Sequence, residues 1–210
     1  MPTYLVIVFS CLTVAVSSGL FVLYVIFGKK SKVSFTKRLT FSAVFTALAV
    51  LFNIFTIQTG VKYFVISFTA IPCFLAGFLL GPVEGFAVGF IGDLLGALIN
   101  PFGAYMPLIG LASGLWGFIP GCLMRLGKNG YAYYVLKTIL SYIICIFMCT
   151  AFLNTYALYL LYGNGRTYWA YLIVRFPMQT AVAAINATLS VILTAALTKI
   201  RYVKNLFMLD

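Results

Sequence analysis

Histidine is absent from this chain, and acidic residues number only three: Glu84, Asp93 and the C-terminal Asp210. Without histidine there is no haem ligation through imidazole, no imidazole proton relay and no Ser–His nucleophile. The fragment Ala112-Ser113-Gly114 therefore has no base to activate its serine. So few carboxylates exclude carboxylate-rich metal catalysis and leave no chain of buried acids to carry protons. No GxxxxGK[ST] run is present, so nothing here binds ATP through a P-loop. The five cysteines (Cys11, Cys73, Cys122, Cys145 and Cys149) form no CxxC and all fall in apolar segments, where they read as small buried hydrophobes. These absences leave neither an enzyme, nor a metal site, nor a cofactor to expect.

Charge is scarce in total. Charged residues make up 8% of the chain and hydrophobic residues 63%, whereas a soluble domain carries roughly 25% charged residues. Such a chain cannot cover itself with a water-facing surface, so its solvent is lipid. Its apolar runs are continuous rather than alternating, which selects helices over a barrel. The expected spans are 3–27, 39–57, 63–80, 84–99, 104–124, 131–160 and 168–198. They give a six-helix bundle over 39–210, preceded by one additional transmembrane helix and a basic loop within 1–38. The first run lacks the basic n-region and short core of a cleaved signal peptide.

The net charge of +11 would suggest nucleic acid in a soluble protein, but here it reports topology. If the loop at 28–38 is cytoplasmic, alternation puts eleven basic residues inside, against Lys62 and Arg166 outside. Nucleic acid is therefore not an expected partner. The N-terminus is expected outside and the C-terminus in the cytoplasm.

Four glycines, Gly85, Gly89, Gly92 and Gly96, mark one face of the span 84–99. Such a face lets helix backbones approach closely where lipid supplies no hydrophobic push. Asp93 lies on the same face and is expected to point into the bundle. There it contacts a ligand, pairs with Arg175 or bonds to neighbouring backbone. In the last span Arg175, Gln179 and Asn186 share a face, a polar stripe that must look inward. The Arg175 fork suits an anionic group, and its other reading is a structural ion pair or snorkelling to headgroups. Asn53, Asn154 and Thr155 are further polar groups near outer helix ends, beside the interfacial aromatics Tyr156, Tyr159 and Tyr162. Ala43 and Ala47 form a small-xxx-small pair.

Taken together, these residues resemble a known family. The run Ile66-Ser67-Phe68-Thr69-Ala70-Ile71-Pro72, then Leu75 to Gly85, then Gly92-Asp93-Leu94-Leu95-Gly96 with Pro101, Gly103, Tyr105 and Pro107, is similar to the substrate-binding S components of energy-coupling factor (ECF) vitamin transporters. Leu153-Asn154-Thr155, Leu160-Leu161-Tyr162-Gly163, Arg175 and Gln179 resemble the folate-specific branch. The likeness covers roughly 39–198. It implies a subunit of an ATP-driven uptake system in a prokaryotic plasma membrane that captures folate with high affinity at the extracytoplasmic side. It also implies a transmembrane coupling subunit, touched at Ala43 and Ala47, and two ATPase subunits. Aromatic faces of Phe102 or Tyr105 would stack on a pterin ring, Asp93 or an asparagine would read its amide-amidine edge, and Arg175 or Lys62 would meet the anionic tail. Two departures stand out: the helix within 1–38 is additional to the six-helix core, and Phe176-Pro177 replaces the more usual aliphatic pair. The rival readings are an S component for another vitamin or nucleobase-like compound, a ligand-free structural membrane protein, and a lipid-modifying enzyme. The last is weakened by the missing histidine.

Overall fold

A computed structural model describes residues 3–28, 34–58, 65–101, 105–126, 131–162 and 168–200. The fold is an all-helical membrane bundle. Its helices are α1 (Thr3–Phe27), α2 (Phe35–Ile54), α3 (Ala70–Leu79), α4 (Pro82–Ile99), α5 (Pro107–Met124), α6 (Tyr131–Cys145), α7 (Thr155–Tyr162) and α8 (Tyr168–Lys199). A π-helical segment, Ile146–Asn154, joins α6 to α7. Two short strands, β1 (Ile57–Gln58) and β2 (Val65–Ile66), pair antiparallel with Ile57 opposite Ile66. Five helical units are long and apolar enough to cross a bilayer: α2, α4, α5, the α6–π–α7 unit and α8.

The second predicted span, 39–57, and the third, 63–80, need correction. Helix α2 stops at Ile54, and α3 has only 10 residues. Ten residues rise about 15 Å, half of a hydrocarbon core about 30 Å thick. Pro72 explains where α3 begins. A proline lacks the N–H that an interior helical position donates, so the first turn is its favoured place, although α5 and α8 each carry one further in, Pro120 and Pro177. The residues before it are held in extended and turn backbone, and the β-branched Ile57, Val65 and Ile66 suit the strand pair. Length and apolarity alone could not distinguish this arrangement from a helix.

The core is built on the glycine face of α4. Gly85 meets the backbone of α5, where an added Cβ would stand 2.6 Å from the Gly117 carbonyl oxygen. Further along, Gly92 faces Ala49 and Gly96 faces Asn53, both on α2. Helix α4 is therefore clamped between α5 and α2 at backbone distance. The turn from α3 into α4 passes through Gly81 at φ 130°, a left-handed conformation that favours glycine. Pro82 then opens α4, and Pro107 likewise opens α5.

The end of the bundle where α2 and α4 begin carries a charged knot that sequence patterning did not reveal. Arg38 at the start of α2 pairs with Glu84 on the first turn of α4. Arg125, just past α5, donates to the Leu80 carbonyl at 2.6 Å and so closes the end of α3. Burial lowers the Arg125 guanidinium from its ordinary range, while Tyr24 of α1 and Glu84 hold it up. Helix α1 lies along α5 in the same direction, with Phe21 stacked on Phe118 at 6.0 Å and Tyr24 bonded near Arg125.

Packing at Gly117 yields a direct prediction. A Gly117→Val change places a branched side chain against the Gly85 backbone, and overpacking of this kind costs about 1–3 kcal/mol or more. The melting temperature of the purified protein in detergent should fall clearly. Leu98→Val, on a side chain that is 69% exposed, should leave it nearly unchanged.

Candidate functional site

Asp93 is 8% exposed, turned inward as the glycine face requires. Its Oδ1 accepts from Ser113 Oγ of α5 at 3.2 Å and, at a longer 3.4 Å, from Asn53 Nδ2 of α2. These partners, rather than Arg175 or backbone, hold the carboxylate. Both donors converge on one oxygen, so the side chain ties α2, α4 and α5 together while Oδ2 makes no hydrogen bond among the described residues. Tyr105 sits close by in the loop before α5. Its hydroxyl reaches the first turn of that helix near Gly110, and its phenol is pushed up by burial and by the Asp93 charge.

A second group lies on the other side of the bundle. Arg175 is 6% exposed on α8, and Gln179, one turn later, is half-buried. Asn154 closes the π-helical segment that packs against α8, and its Oδ1 is buried without a hydrogen-bond partner among the described residues. Widened turns of this kind occur often at functional sites. Side chains support this one from outside: Thr155 Oγ1 donates to the Thr150 carbonyl at 2.8 Å, and Tyr168 Oη donates to the Ala151 carbonyl at 2.7 Å. Pro177 has no N–H for the Ile173 carbonyl, which loosens the turn carrying Arg175.

The predicted site residues thus divide into two sets. Asn53, Asp93 and Tyr105 belong with α2, α4 and α5; Asn154, Arg175 and Gln179 belong with the π segment and α8. Lys62 and Phe102 lie outside the described residues, as does the side chain of Tyr162. Ala43 and Ala47 are exposed on α2, next to Val44 and Leu48, which are exposed too.

Between the two sets lies a feature missed in the sequence, non-helical backbone inside the bundle. Helix α3 has only 10 residues, about half a bilayer span, so the non-helical Ser67 to Thr69 fall within an apolar stretch that a spanning helix would otherwise fill. Irregular backbone is tolerated there only if it is enclosed by protein or lines a cavity. Its polar groups are satisfied locally. Thr69 N donates to Ser67 Oγ at 3.3 Å, and the two hydroxyls share a short hydrogen bond. From α8, Asn186 Nδ2 donates to the Ser67 carbonyl at 3.0 Å. Pro72 preceded by Ser67 and Thr69 was the signal in the sequence: a helix stop followed upstream by hydroxyls able to bond exposed backbone. Among the described residues, no group of three or more His, Cys, Asp or Glu side chains comes together to hold a metal.

Comparison with known proteins places this bundle. The family described as "ECF transporter, substrate-specific component" matches residues 37–197, and the chain belongs to that family. Two solved structures share the fold. "FolT bound with folic acid" is 27% identical, with a TM-score of 0.57 over 76% of this chain and 92% of that one. The S component of a bacterial ECF transporter is 20% identical, with a TM-score of 0.55 over 82% of this chain and 98% of that one. An uncharacterized protein of Mycoplasma pneumoniae is 44% identical over 57 residues. That match takes in 27% of this chain and 20% of the relative's length. The chain is therefore a membrane-embedded, substrate-specific transporter component.

The Asp93 tie makes a separable prediction. Ser113→Ala removes one donor and should cost about 1 kcal/mol, and Asp93→Ala, which takes the acceptor from two half-buried donors, about 1–2 kcal/mol. In a double-mutant cycle read by thermal unfolding, the two losses should overlap. Full additivity would mean that the bond contributes nothing.

Proposed function

We propose that this protein is the folate-binding subunit of an ATP-driven ECF uptake transporter. In this reading it captures the vitamin at the extracytoplasmic side of a prokaryotic plasma membrane with high affinity. The observation that carries the ligand is the likeness to FolT bound with folic acid, which extends over 92% of that structure. The residues on the page suit such a molecule. Arg175, with Gln179 one turn later on α8 and Asn154 on the π segment packed against that helix, offers a planar cation and amides to an anionic glutamate tail. Asp93, Asn53 and Tyr105 offer a hydrogen-bonding edge and an aromatic face to a pterin ring. Phe102, Lys62 and Tyr162 are proposed to complete the cover on the outer side.

ATP must come from other subunits, because the chain has no P-loop. The exposed apolar face of α2 at Ala43 and Ala47 is the proposed contact for a transmembrane coupling subunit, itself bound to two ATPases. Small residues there allow close helix approach. The charge count supports an outside N-terminus and a cytoplasmic C-terminus. In this reading residues 1–38 carry an accessory helix, α1, ahead of a substrate-binding domain over 39–210; the matched family region begins at residue 37, and α2 itself at Phe35.

The near-equal likeness to another S component favours one second reading, a subunit for a different vitamin or a nucleobase-like compound. A thermal-shift screen of vitamins separates the two. Folic acid should raise the melting temperature of the purified protein and leave a pterin absorbance when co-purified. Arg175→Ala and Asp93→Asn should each weaken folic acid binding by about tenfold or more, the scale of a lost charge-assisted hydrogen bond. Unchanged affinity in both would remove these residues from the site.

A further inference from the structure

Asn186 sits on the nineteenth position of α8, the middle of a helix of 32 residues, and is 3% exposed. Two bonds fix its surroundings. Its Nδ2 donates to the Ser67 carbonyl at 3.0 Å. Behind it, Tyr142 of α6 shares a 2.7 Å hydrogen bond with Ser190 Oγ and lies 3.2 Å from the Asn186 carbonyl. The first bond decides which way the amide faces: only the nitrogen can donate to a carbonyl, so Oδ1 points the other way. That oxygen is buried and accepts from no donor among the described residues.

A buried amide oxygen left without a donor is destabilising, because it has given up its bonds to water for nothing. In a packed membrane helix the cheaper residue at this place would be aliphatic. The same side chain also borders the one stretch where described backbone leaves the helix inside an apolar run, the kind of place where membrane proteins build ligand sites from unwound segments. We propose that Asn186 is a specificity-determining residue of the substrate site. Its Oδ1 accepts a hydrogen bond from an N–H of the bound molecule, while its Nδ2 holds the unwound Ser67 segment in place. The inference rests on the folate reading, in which the natural donor is the lactam N–H of the pterin ring. Its consequence is chemical: a ligand with a ring N–H at that edge is accepted, and one with an alkylated nitrogen is rejected, because the oxygen would be buried against a methyl group.

The experiment pairs a protein change with a ligand change. Binding of folic acid, and of a folic acid analogue methylated on the ring lactam nitrogen, is measured on the full-length protein in detergent. Wild type should prefer folic acid by about 10-fold to 100-fold, the span expected for a buried donor–acceptor pair. Asn186→Ala should bind folic acid more weakly and lose most of that preference. Asn186→Ser keeps a small polar group but draws its oxygen one bond back from where Oδ1 stands, out of reach of the ligand N–H, so it should fold and still lose the preference. If wild type binds folic acid and either variant retains its full preference for it, the Asn186 assignment is overturned and the folate reading stands. Equal weakening of both ligands also overturns it, since that is the pattern of a structural role alone. If wild type binds no folic acid, the folate reading fails and the assignment falls with it.

Discussion

Every backbone N–H and carbonyl in a bilayer must find a partner inside the protein, and this fold departs from continuous helix at one place within its described depth. Helices satisfy the rule automatically over α2, α4, α5 and α8. At Phe55–Gln58 and Val65–Thr69 the chain breaks it and repairs it with a two-stranded pair, two hydroxyls and the Asn186 amide. A broken helix in lipid is costly unless neighbours take up the freed groups. The supports around Ser67 therefore belong to the architecture as much as any apolar contact. They also keep polar atoms inside the bundle, where a polar molecule could be received.

The glycine face of α4 makes that arrangement possible. With Gly85 against Gly117 and Gly92 against Ala49, three helices close into a rigid slab at backbone distance. Asp93 lies within the slab and bonds to Ser113 and Asn53, so its carboxylate does not need a cation across the bundle. This separates the acidic side of the interior from Arg175 on α8. A molecule with a neutral hydrogen-bonding head and an anionic tail matches that division better than a compact zwitterion would. The charged knot of Arg38, Glu84 and Arg125 holds the opposite ends of the same helices.

Much of this was legible in the residues, because lipid simplifies the code. Apolar length located the long helices, the glycine period turned Asp93 inward, and the spacing of Arg175, Gln179 and Asn186 placed them on one buried face. What the sequence hid has physical reasons. Hydropathy does not register a strand pair inside an apolar run, so Val65 and Ile66 read as part of a continuous 63–80 span. The π-helical turns leave no periodic signature over nine residues of mixed apolar type. Ser113, alone between Ala112 and Gly114, looked like a nucleophile without a base. Its use as a donor to Asp93 depends on a helix pairing that spacing along one chain cannot show.

The additional helix α1 shows how far a local feature can reach. It docks on α5 through Phe21 and Phe118, and Tyr24 then meets Arg125, which caps α3 and faces the Glu84–Arg38 pair. Helix α1 is thereby linked to the start of α2 through charges and carbonyls rather than by packing on α2 itself. A helix joined to α2 by a short basic loop could have folded back over its apolar stripe as a hairpin. Instead it lies on α5, and Ala43, Val44, Ala47 and Leu48 stay exposed. The same contacts that anchor the accessory helix therefore leave open α2, a long helix that buries little of itself in this bundle.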